Sequence, residues 1–274
     1  MREATRRTLI VGWRGGVGRA VLGVLDGHAL AQRRAFVLLD AEPGDDGAPS
    51  GATVLPAERI VSDARVQELL RAHAIDELVD LAGLDWRDCL DACAATGASY
   101  LCTSLERWTP AAGVLDDAVL LASADAPRWP GRHLVAAGMN PGCVNALVEI
   151  AIDEFAARVG THELALAAIH VTELDTTHAT DGQPDGFAMT WGASPCLAEL
   201  RVSRALVVVD GEVHALPHAP TQHRYRVRCG DEIIAGFAVP HDELVSIGAR
   251  HPGTELAYLY CVPEQAARWL ATHD

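Results

Sequence analysis

The sequence predicts an α/β protein, with a Rossmann-type parallel sheet domain followed by a second α+β domain that contains an antiparallel or mixed sheet. Two patterns support this prediction. In the first half, short apolar strands alternate with amphipathic helices, which is typical of a parallel sheet with helices on both faces. In the second half, pairs of strands are separated by Asp-Gly and Gly-Asp turns, which is typical of β-hairpins.

The composition of the chain limits the classes of function. Of its 274 residues, 49% are hydrophobic and 22% are charged, as in globular proteins that are large enough for two domains. The formal net charge of −15 would repel the phosphates of nucleic acid and mildly favours a cationic substrate. No apolar run approaches the roughly 20 residues needed to cross a bilayer, so we expect no membrane partner and a cytoplasmic location.

Residues 8–40 have the order of a dinucleotide-binding βαβ unit. A strand at 8–11 leads into the turn Gly12-Trp13-Arg14-Gly15-Gly16-Val17-Gly18, then a helix and a strand at 35–39 that ends in Asp40. Glycines permit the tight bend, let the backbone approach a pyrophosphate and let helix and strand pack closely. A turn that joins strand and helix without binding a ligand is the alternative. The cofactor-binding residues predicted here are Gly12, Gly15, Gly16, Val17, Gly18 and Asp40.

Asp40 decides which dinucleotide is expected. Its carboxylate can accept hydrogen bonds from a ribose diol and would repel a 2′-phosphate, and neither Arg nor Lys follows it at once. The predicted cofactor is therefore NAD rather than NADP.

The remaining elements of the first half continue the alternation. In order, we predict a surface loop at 41–52, a helix capped by Ser62 or Asp63, a strand at 77–81, a helix at 86–95 ended by Gly97, a strand at 98–102, a strand at 133–137 and a helix at 143–158. Ligands of such sheets bind at the carboxyl ends of the strands. The cofactor-binding residues predicted at these ends are Gly83, Thr103, Asn140 and Pro141.

The second half changes to strand pairs. In order, we predict a strand at 164–174, a helix at 191–200, a hairpin of 205–209 with 212–216 about Asp210-Gly211, a second hairpin of 225–229 with 233–239, a strand at 254–262 and a helix that begins at Pro263. The predicted domains are residues 1–142 for the dinucleotide, residues 143–253 for the substrate and for dimerisation, and residues 254–274 as a strand and helix that could return to the first domain.

Four polar clusters in the second half exceed what folding needs, and the fourth, His214, His218 and His223, is considered below as a metal site. Glu173 and Asp175 point to one face of a strand end, where they could bind an ammonium group or share a proton. Trp191 could seat a cation on its ring. His241 and Glu243 lie at a strand-to-helix junction, where functional groups are often displayed. A solvated strand end, a core tryptophan and a helix cap are the respective structural alternatives.

A metal site is not expected. The seven cysteines are scattered and include no C-x-x-C pair, so they should be reduced and mostly buried. His214 and His218 have helical spacing, but Pro217 between them prevents the helix that would align their rings.

Six stretches in order along the chain resemble bacterial homospermidine synthase and the wider saccharopine dehydrogenase-like family. They are the glycine turn with Asp40, residues 97–108 (GASYLCTSLERW), Asn140-Pro141-Gly142, Glu173-Leu174-Asp175-Thr176, Thr190-Trp191 and residues 241–247 (HDELVSI). Two positions depart from the family pattern, because Cys102 stands where the family has Asp and Leu174 where it has Arg.

The resemblance implies an enzyme in which the nicotinamide of NAD accepts a hydride from the carbon beside a primary amine and gives an imine. It also implies roles for residues: Trp191 would hold a cationic intermediate by cation–π attraction, Glu173 and Glu243 would bind ammonium groups, and Asn140 and His241 would line the site near the nicotinamide.

We therefore expect an NAD-dependent oxidoreductase, a homodimer, that acts on the C–N bond of a primary amine, polyamine or amino acid. One alternative is an opine- or saccharopine-type reductive condensation of an amino acid with a keto acid, for which Arg201, Arg204, Arg224, Arg226 and Arg228 could hold carboxylates. Another alternative is a non-catalytic NAD-binding sensor or partner subunit.

Overall fold

The computed structural model describes residues 5–29, 31–105, 117, 120–121, 129–161, 164–174, 205–210, 212–216 and 224–261. Contacts divide the chain into two compact units, Met1–Val144 and Asn145–Asp274, and the boundary predicted after residue 142 lies close to this division. Among the described helices, none is both long enough and apolar enough to cross a membrane.

The first unit contains a six-stranded sheet. Its strands are β1 (Arg6–Val11), β2 (Arg34–Leu39), β3 (Thr53–Val54), β4 (Glu77–Asp80), β5 (Ser99–Cys102) and β6 (His133–Leu134). They lie in the order β3-β2-β1-β4-β5-β6, and every neighbouring pair is parallel. This confirms the predicted Rossmann-type sheet. The strand order reverses between β1 and β4, the point at which such sheets bind ligands beyond the carboxyl ends of their strands.

The helices of this unit begin and end where local signals place them. They are α1 (Gly16–Leu25), α2 (Asp63–Ala72) and α3 (Trp86–Thr96). The Ser62 hydroxyl accepts a hydrogen bond from the Arg65 N–H and caps α2, as expected of serine before a helix. Gly97 ends α3 with a left-handed φ of 78°, which glycine adopts without a steric penalty.

Apolar side chains cover both faces of the sheet. Leu9 belongs to one buried cluster and its neighbour Ile10 to another, because successive side chains of a strand point to opposite faces. A sheet that is buried on both faces leaves only its edges and strand ends open to a ligand.

The sixth strand is shorter than predicted. The sequence predicts a strand at 133–137, whereas β6 contains only His133 and Leu134. Ala136 has a φ of 54°, which takes the backbone out of the extended region. The Ala137 N–H then donates to the Cys102 carbonyl at 2.9 Å, so the chain turns across the end of β5.

The second unit contains a mixed sheet. Its strands are β7 (Ala168–Leu174), β8 (Ala205–Val209), β9 (Glu212–Leu216), β10 (Arg224–Cys229), β11 (Glu232–Val239) and β12 (Glu255–Cys261), and its helices are α4 (Cys143–Val159), which begins at the boundary, and α5 (Glu243–Arg250). β8–β9 and β10–β11 are the two predicted hairpins. β12 is antiparallel to β11 and β8 and parallel to β7.

The remaining predictions for this unit have different outcomes. The strand predicted from residue 164 begins at Ala168 instead, because its partner β12 begins only at Glu255, which lies opposite Ala168. The helices predicted at 191–200 and from Pro263 lie outside the described residues. The strand predicted at 254–262 is β12, and it is part of the sheet of the second unit.

Candidate functional site

The glycine turn of the first unit is built so that larger side chains are excluded. Gly12 has a φ of 81°, and a Cβ there would lie 2.8 Å from the backbone carbonyl of Leu81. A Cβ on Gly18 would lie 2.5 Å from the backbone of Trp13. Gly15 precedes α1, and its carbonyl accepts the Arg19 N–H at 3.0 Å. The free N–H groups at the start of α1 are therefore presented beside β1, as a pyrophosphate requires.

Asp40 is held at the end of β2 by the backbone. Its Oδ2 accepts the Arg14 N–H at 2.9 Å, and its Oδ1 accepts the Glu42 N–H at 3.2 Å. A carboxylate has about four lone-pair positions, so these two bonds fix the side chain and leave acceptors for a ribose diol.

A cavity of about 490 Å³ opens at these strand ends. Its volume falls in the range of roughly 300–1,000 Å³ that is typical of small-molecule sites. Its wall includes Gly12, Asp40, Arg59, Ile60, Gly83 and Leu84. The wall thus combines a glycine turn, an acid and apolar side chains, which suits a nucleoside. Three of the predicted cofactor residues, Gly12, Asp40 and Gly83, line this one cavity.

Asp80 shapes the Gly83 side of the cavity and was not predicted. It is buried at the end of β4, where it accepts the N–H groups of Ala82 and Leu84 at 2.9 and 3.0 Å and the Tyr100 hydroxyl at 3.1 Å. Burial raises the pKa of Asp80, and the N–H donors oppose that rise. An acid at a strand end, three residues before a glycine, was the signal available in the sequence.

Thr103, Asn140 and Pro141 lie at the next strand end of the same sheet. The Gly138 N–H donates to the Pro141 carbonyl at 2.7 Å, and a Cβ on Gly138 would lie 2.9 Å from the Thr103 carbonyl. The Asn140–Pro141 peptide bond is cis. The turn therefore packs against the end of β5, while the cavity wall, as the described residues form it, contains none of these three.

Cys102 is the last residue of β5 and is almost fully buried, at 1% exposure. Burial raises the pKa of its thiol, and hydrogen bonds from the N–H groups of Ala136 and Ser104 oppose the rise. The side chain that stands where the resembled family has Asp is therefore a neutral thiol inside the sheet, and it offers a ligand no charge.

The second unit contains a buried ionisable cluster at the junction of β11 and α5. Nδ1 of His241 is hydrogen-bonded to Oε2 of Glu243 and lies 3.4 Å from Oδ1 of Asp242. All three residues are buried, and Glu243 is only 1% exposed. Oε1 of Glu243 is buried and has no hydrogen-bond partner among the described residues. Asp242 precedes α5 but makes no capping bond, so the helix-cap alternative does not account for the cluster.

Burial also sets the protonation of this cluster. It raises the pKa of Glu243, and the hydrogen bond from His241 opposes that rise. A carboxyl group with a raised pKa beside an imidazole can exchange a proton with it, which is the property required of a general acid or base.

Tyr258 joins this cluster to Glu173. The His241 and Tyr258 rings stack with centroids 4.2 Å apart and 17° between their planes. The Tyr258 hydroxyl donates to Oε2 of Glu173 at 2.8 Å. Three predicted catalytic residues, Glu173, His241 and Glu243, are thus connected through one tyrosine. Tyr258 itself was missed, because the run Glu255–Cys261 has the composition of an ordinary core strand.

The remaining predicted residues are placed as follows. Trp191 and Asp175 lie outside the described residues, as do Arg201 and Arg204. Arg226 and Arg228 are exposed on β10, an edge strand of the sheet. No observation connects these two arginines to the cluster.

The cluster also offers three potential metal ligands. Atoms of His241, Asp242 and Glu243 lie within 4.8 Å of one another. Nδ1 of His241 and Oε2 of Glu243 are in direct contact, however, and would have to separate to bind one ion at about 2.0–2.2 Å each. The arrangement therefore favours a shared proton over a metal ion.

Comparison with known proteins shows the fold. No protein-family model matches the chain, and no curated protein matches it by sequence. The homospermidine synthase of Legionella pneumophila, solved in complex with NAD, is 18% identical with a TM-score of 0.76, over 96% of this chain and 67% of that chain. The apo saccharopine dehydrogenase (L-Glu forming) of Saccharomyces cerevisiae is 14% identical with a TM-score of 0.65, over 97% of this chain and 57% of that chain.

The predicted resemblance is therefore confirmed for the fold. This chain spans about two thirds of the length of the first protein and 57% of the second, so the activities of those whole proteins do not pass to it by similarity alone.

Proposed function

We propose that this chain, which has the fold of homospermidine synthase and saccharopine dehydrogenase, is an NAD-dependent oxidoreductase acting on the C–N bond of a primary amine, polyamine or amino acid through an imine. The observation that carries the proposal is the connection of half-buried Glu173, through buried Tyr258, to the buried pair His241 and Glu243. Their carboxyl and imidazole groups suit an amine substrate.

The first unit fits the cofactor. The N–H groups at the start of α1 would hold the pyrophosphate, Asp40 the ribose diol, and the cavity beside Ile60 and Leu84 the adenine. When bound, NAD would supply a nicotinamide that accepts a hydride from carbon. We propose that Thr103, Asn140 and Pro141, at the neighbouring strand end, also contact the cofactor.

The cluster of the second unit fits an amine. Glu173, Asp242 and Glu243 bring three carboxyl groups to one patch, which would attract an ammonium group and favour the positive iminium that forms when hydride leaves the adjacent carbon. Glu243, with its raised pKa, and His241 would take the proton that the nitrogen loses as the imine forms. We propose that Trp191 supplies an aromatic face for the same cation.

The test is turnover. The protein is mixed with NAD and, separately, with diamines, polyamines and amino acids, and the nicotinamide absorbance is followed. Reduction with an amine supports the proposal. Reaction only when an amino acid and a keto acid are present with NADH would favour the opine-type condensation. Tight NAD binding without any hydride exchange would favour a sensor or partner subunit.

Two substitutions test the residues. Glu173→Gln keeps the shape of the side chain but removes a charge from the cluster, and it should raise KM for the amine. Glu212→Gln, which removes a charge from an exposed position on β9, is the matched control and should not change KM. Trp191→Ala should lower kcat while the protein stays folded. A variant that does not fold would indicate a core role for Trp191 instead.

We also propose that the protein is a homodimer. α4 exposes Leu147, Ile150, Phe155 and Val159, each between 47% and 52% exposed, and apolar side chains concentrated on one helix are typical of subunit interfaces. Sedimentation equilibrium should give twice the mass of the chain, and Phe155→Glu should shift the species toward a monomer.

A further inference from the structure

Arg14, in the middle of the glycine turn, has an incompletely satisfied guanidinium group. Its Nε and Nη1 atoms are buried without a hydrogen-bond partner among the described residues, and the group lies over the Trp13 ring at 5.5 Å. Buried N–H groups of a charged side chain are strongly destabilising when they lack an acceptor. Such a group in a native fold calls for an acceptor beyond the described residues, such as a bound anion.

The position of the guanidinium indicates which anion. A Cβ on Gly44 would lie 2.5 Å from Nη1 of Arg14, so the side chain extends toward the loop that follows β2. The Arg14 backbone N–H is bonded to Asp40, which lines the cavity. A pyrophosphate would bind instead at the N-terminus of α1, which begins at Gly16. The guanidinium therefore lies against the loop that follows β2, the strand that leads to Asp40, and not at the N-terminus of α1.

We propose that Arg14 is a phosphate-binding residue for the 2′ position of the adenosine ribose, and that the charge of Asp40 is what keeps this binding capacity from being used. The inference rests on the proposed cofactor site. A guanidinium can bind a phosphate through two parallel hydrogen bonds, whereas the Asp40 carboxylate repels a phosphate and accepts hydroxyls. The loop also contains Glu42, Asp45 and Asp46, which strengthen the repulsion. The site then selects NAD through Asp40, although the cation for a 2′-phosphate is already present.

The test uses binding alone, so it does not depend on the amine substrate. NADH and NADPH are titrated by fluorescence, and 5′-AMP and 2′,5′-ADP, which differ only in the 2′-phosphate, by calorimetry. Wild type should bind NADH more tightly than NADPH. Asp40→Asn removes the charge and keeps an acceptor oxygen for one of the two backbone N–H groups, and it should tighten NADPH binding by about tenfold or more. Adding Arg14→Ala should abolish that gain.

Arg59 provides the matched comparison, because it lines the cavity beside Asp40 and its substitution removes the same charge. The inference is overturned if Asp40→Asn binds NADPH no better than wild type, if the double variant keeps the gain, or if Arg59→Ala abolishes the gain in place of Arg14→Ala. Should Asp40→Asn fail to fold, Asp40→Ser, which also removes the charge, takes its place in the same comparison with and without Arg14→Ala. If wild type binds neither dinucleotide, the cofactor proposal and this inference are both overturned. If wild type binds NADH but Asp40→Asn gains no NADPH binding, this inference alone is overturned.

Discussion

The ring of His241 lies flat on the ring of Tyr258, with 4.2 Å between the centroids. His241 lies between β11 and α5, whereas Tyr258 lies in the middle of β12, at 2% exposure. The stack fixes the imidazole plane from one side, while Glu243 holds Nδ1. The hydroxyl of the same tyrosine positions Glu173. A change at Tyr258 should therefore affect both groups that we propose to meet the amine.

Tyr258→Phe should lower kcat/KM by about tenfold, mainly by raising KM for the amine, while the protein stays folded, because the ring still supports His241 but the Glu173 carboxylate loses the Tyr258 hydroxyl as a donor. Tyr258→Leu should cause a larger loss, since it also removes the stack. Steady-state kinetics with the best amine of the panel measure both effects. Tyr225→Phe, on β10, is the control. Equal activities of the Phe variant and wild type would show that the Tyr258 hydroxyl has only a structural role.

Glu243 should make folding stability depend on pH. Burial raises its pKa in the folded chain above the ordinary value of 4.5, so the folded chain keeps a proton that the unfolded chain releases. The stabilisation is therefore complete below pH 4.5 and is lost as the pH rises through the folded pKa. Glu243→Gln cannot titrate, and its free energy of unfolding should fall less over this interval.

Urea unfolding at a series of pH values measures this difference. Glu212→Gln, on the exposed strand β9, should keep the wild-type pH dependence. If the free energy of unfolding changes equally with pH in wild type and in Glu243→Gln, Glu243 is ionised in the folded chain and another group holds the proton.

Gly18 and Gly23 lie on the same helix, and their substitution by alanine should change the stability of the fold in opposite directions. A Cβ on Gly18 would meet the Trp13 backbone at 2.5 Å, whereas a Cβ on Gly23 has nothing within 4 Å. Gly18→Ala should destabilise the fold by roughly 1–3 kcal/mol through overpacking and weaken NADH binding. Gly23→Ala should stabilise it by about 0.5–1 kcal/mol. Chemical denaturation and NADH fluorescence test the pair, and a neutral Gly18→Ala would show that α1 can move away from β1.

Thiol reactivity should follow burial. Cys143 and Cys229 are exposed, whereas Cys89, Cys93 and Cys102 are buried. Burial raises the pKa of Cys93 to about 12, and the thiolate is the reactive form. Iodoacetamide should therefore label Cys143 and Cys229 in the native protein, and Cys89, Cys93 and Cys102 only in urea, as read by peptide mass spectrometry. Rapid native labelling of Cys102 would contradict its position inside the sheet.

Elements with local signals were predictable from the sequence. Ser62 before α2, Gly97 after α3 and Asp210 in the β8–β9 turn each act through the backbone within a few residues. The glycine turn and Asp40 belong to the same class, because their spacing reflects one βαβ unit. The two ends of β7 differ for this reason: its C-terminal end was predictable from its own residues, whereas its start depends on where β12 begins.

Contacts between distant parts of the chain were not predictable. Tyr258 reaches Glu173 only because β12 and β7 pair in parallel, and no local pattern distinguishes it from the core residues around it. The role proposed for Arg14 depends on its contacts with Gly44 and Asp40. These residues follow β2 and lie beside Arg14 because β2 pairs with β1. Asp80 similarly depends on Tyr100, which lies on the neighbouring strand.

The position of β12 has a consequence for the order in which the chain can fold. Among the described strands it is the last to leave the ribosome, yet it pairs with β7 on one side and with β11 and β8 on the other. The two hairpins can form from local contacts, but β7 has no other described partner, so its pairing must wait until residue 261 is synthesised. During that interval the nascent chain exposes unpaired strand edges, and this half of the protein is where we expect chaperone dependence and aggregation during expression to arise.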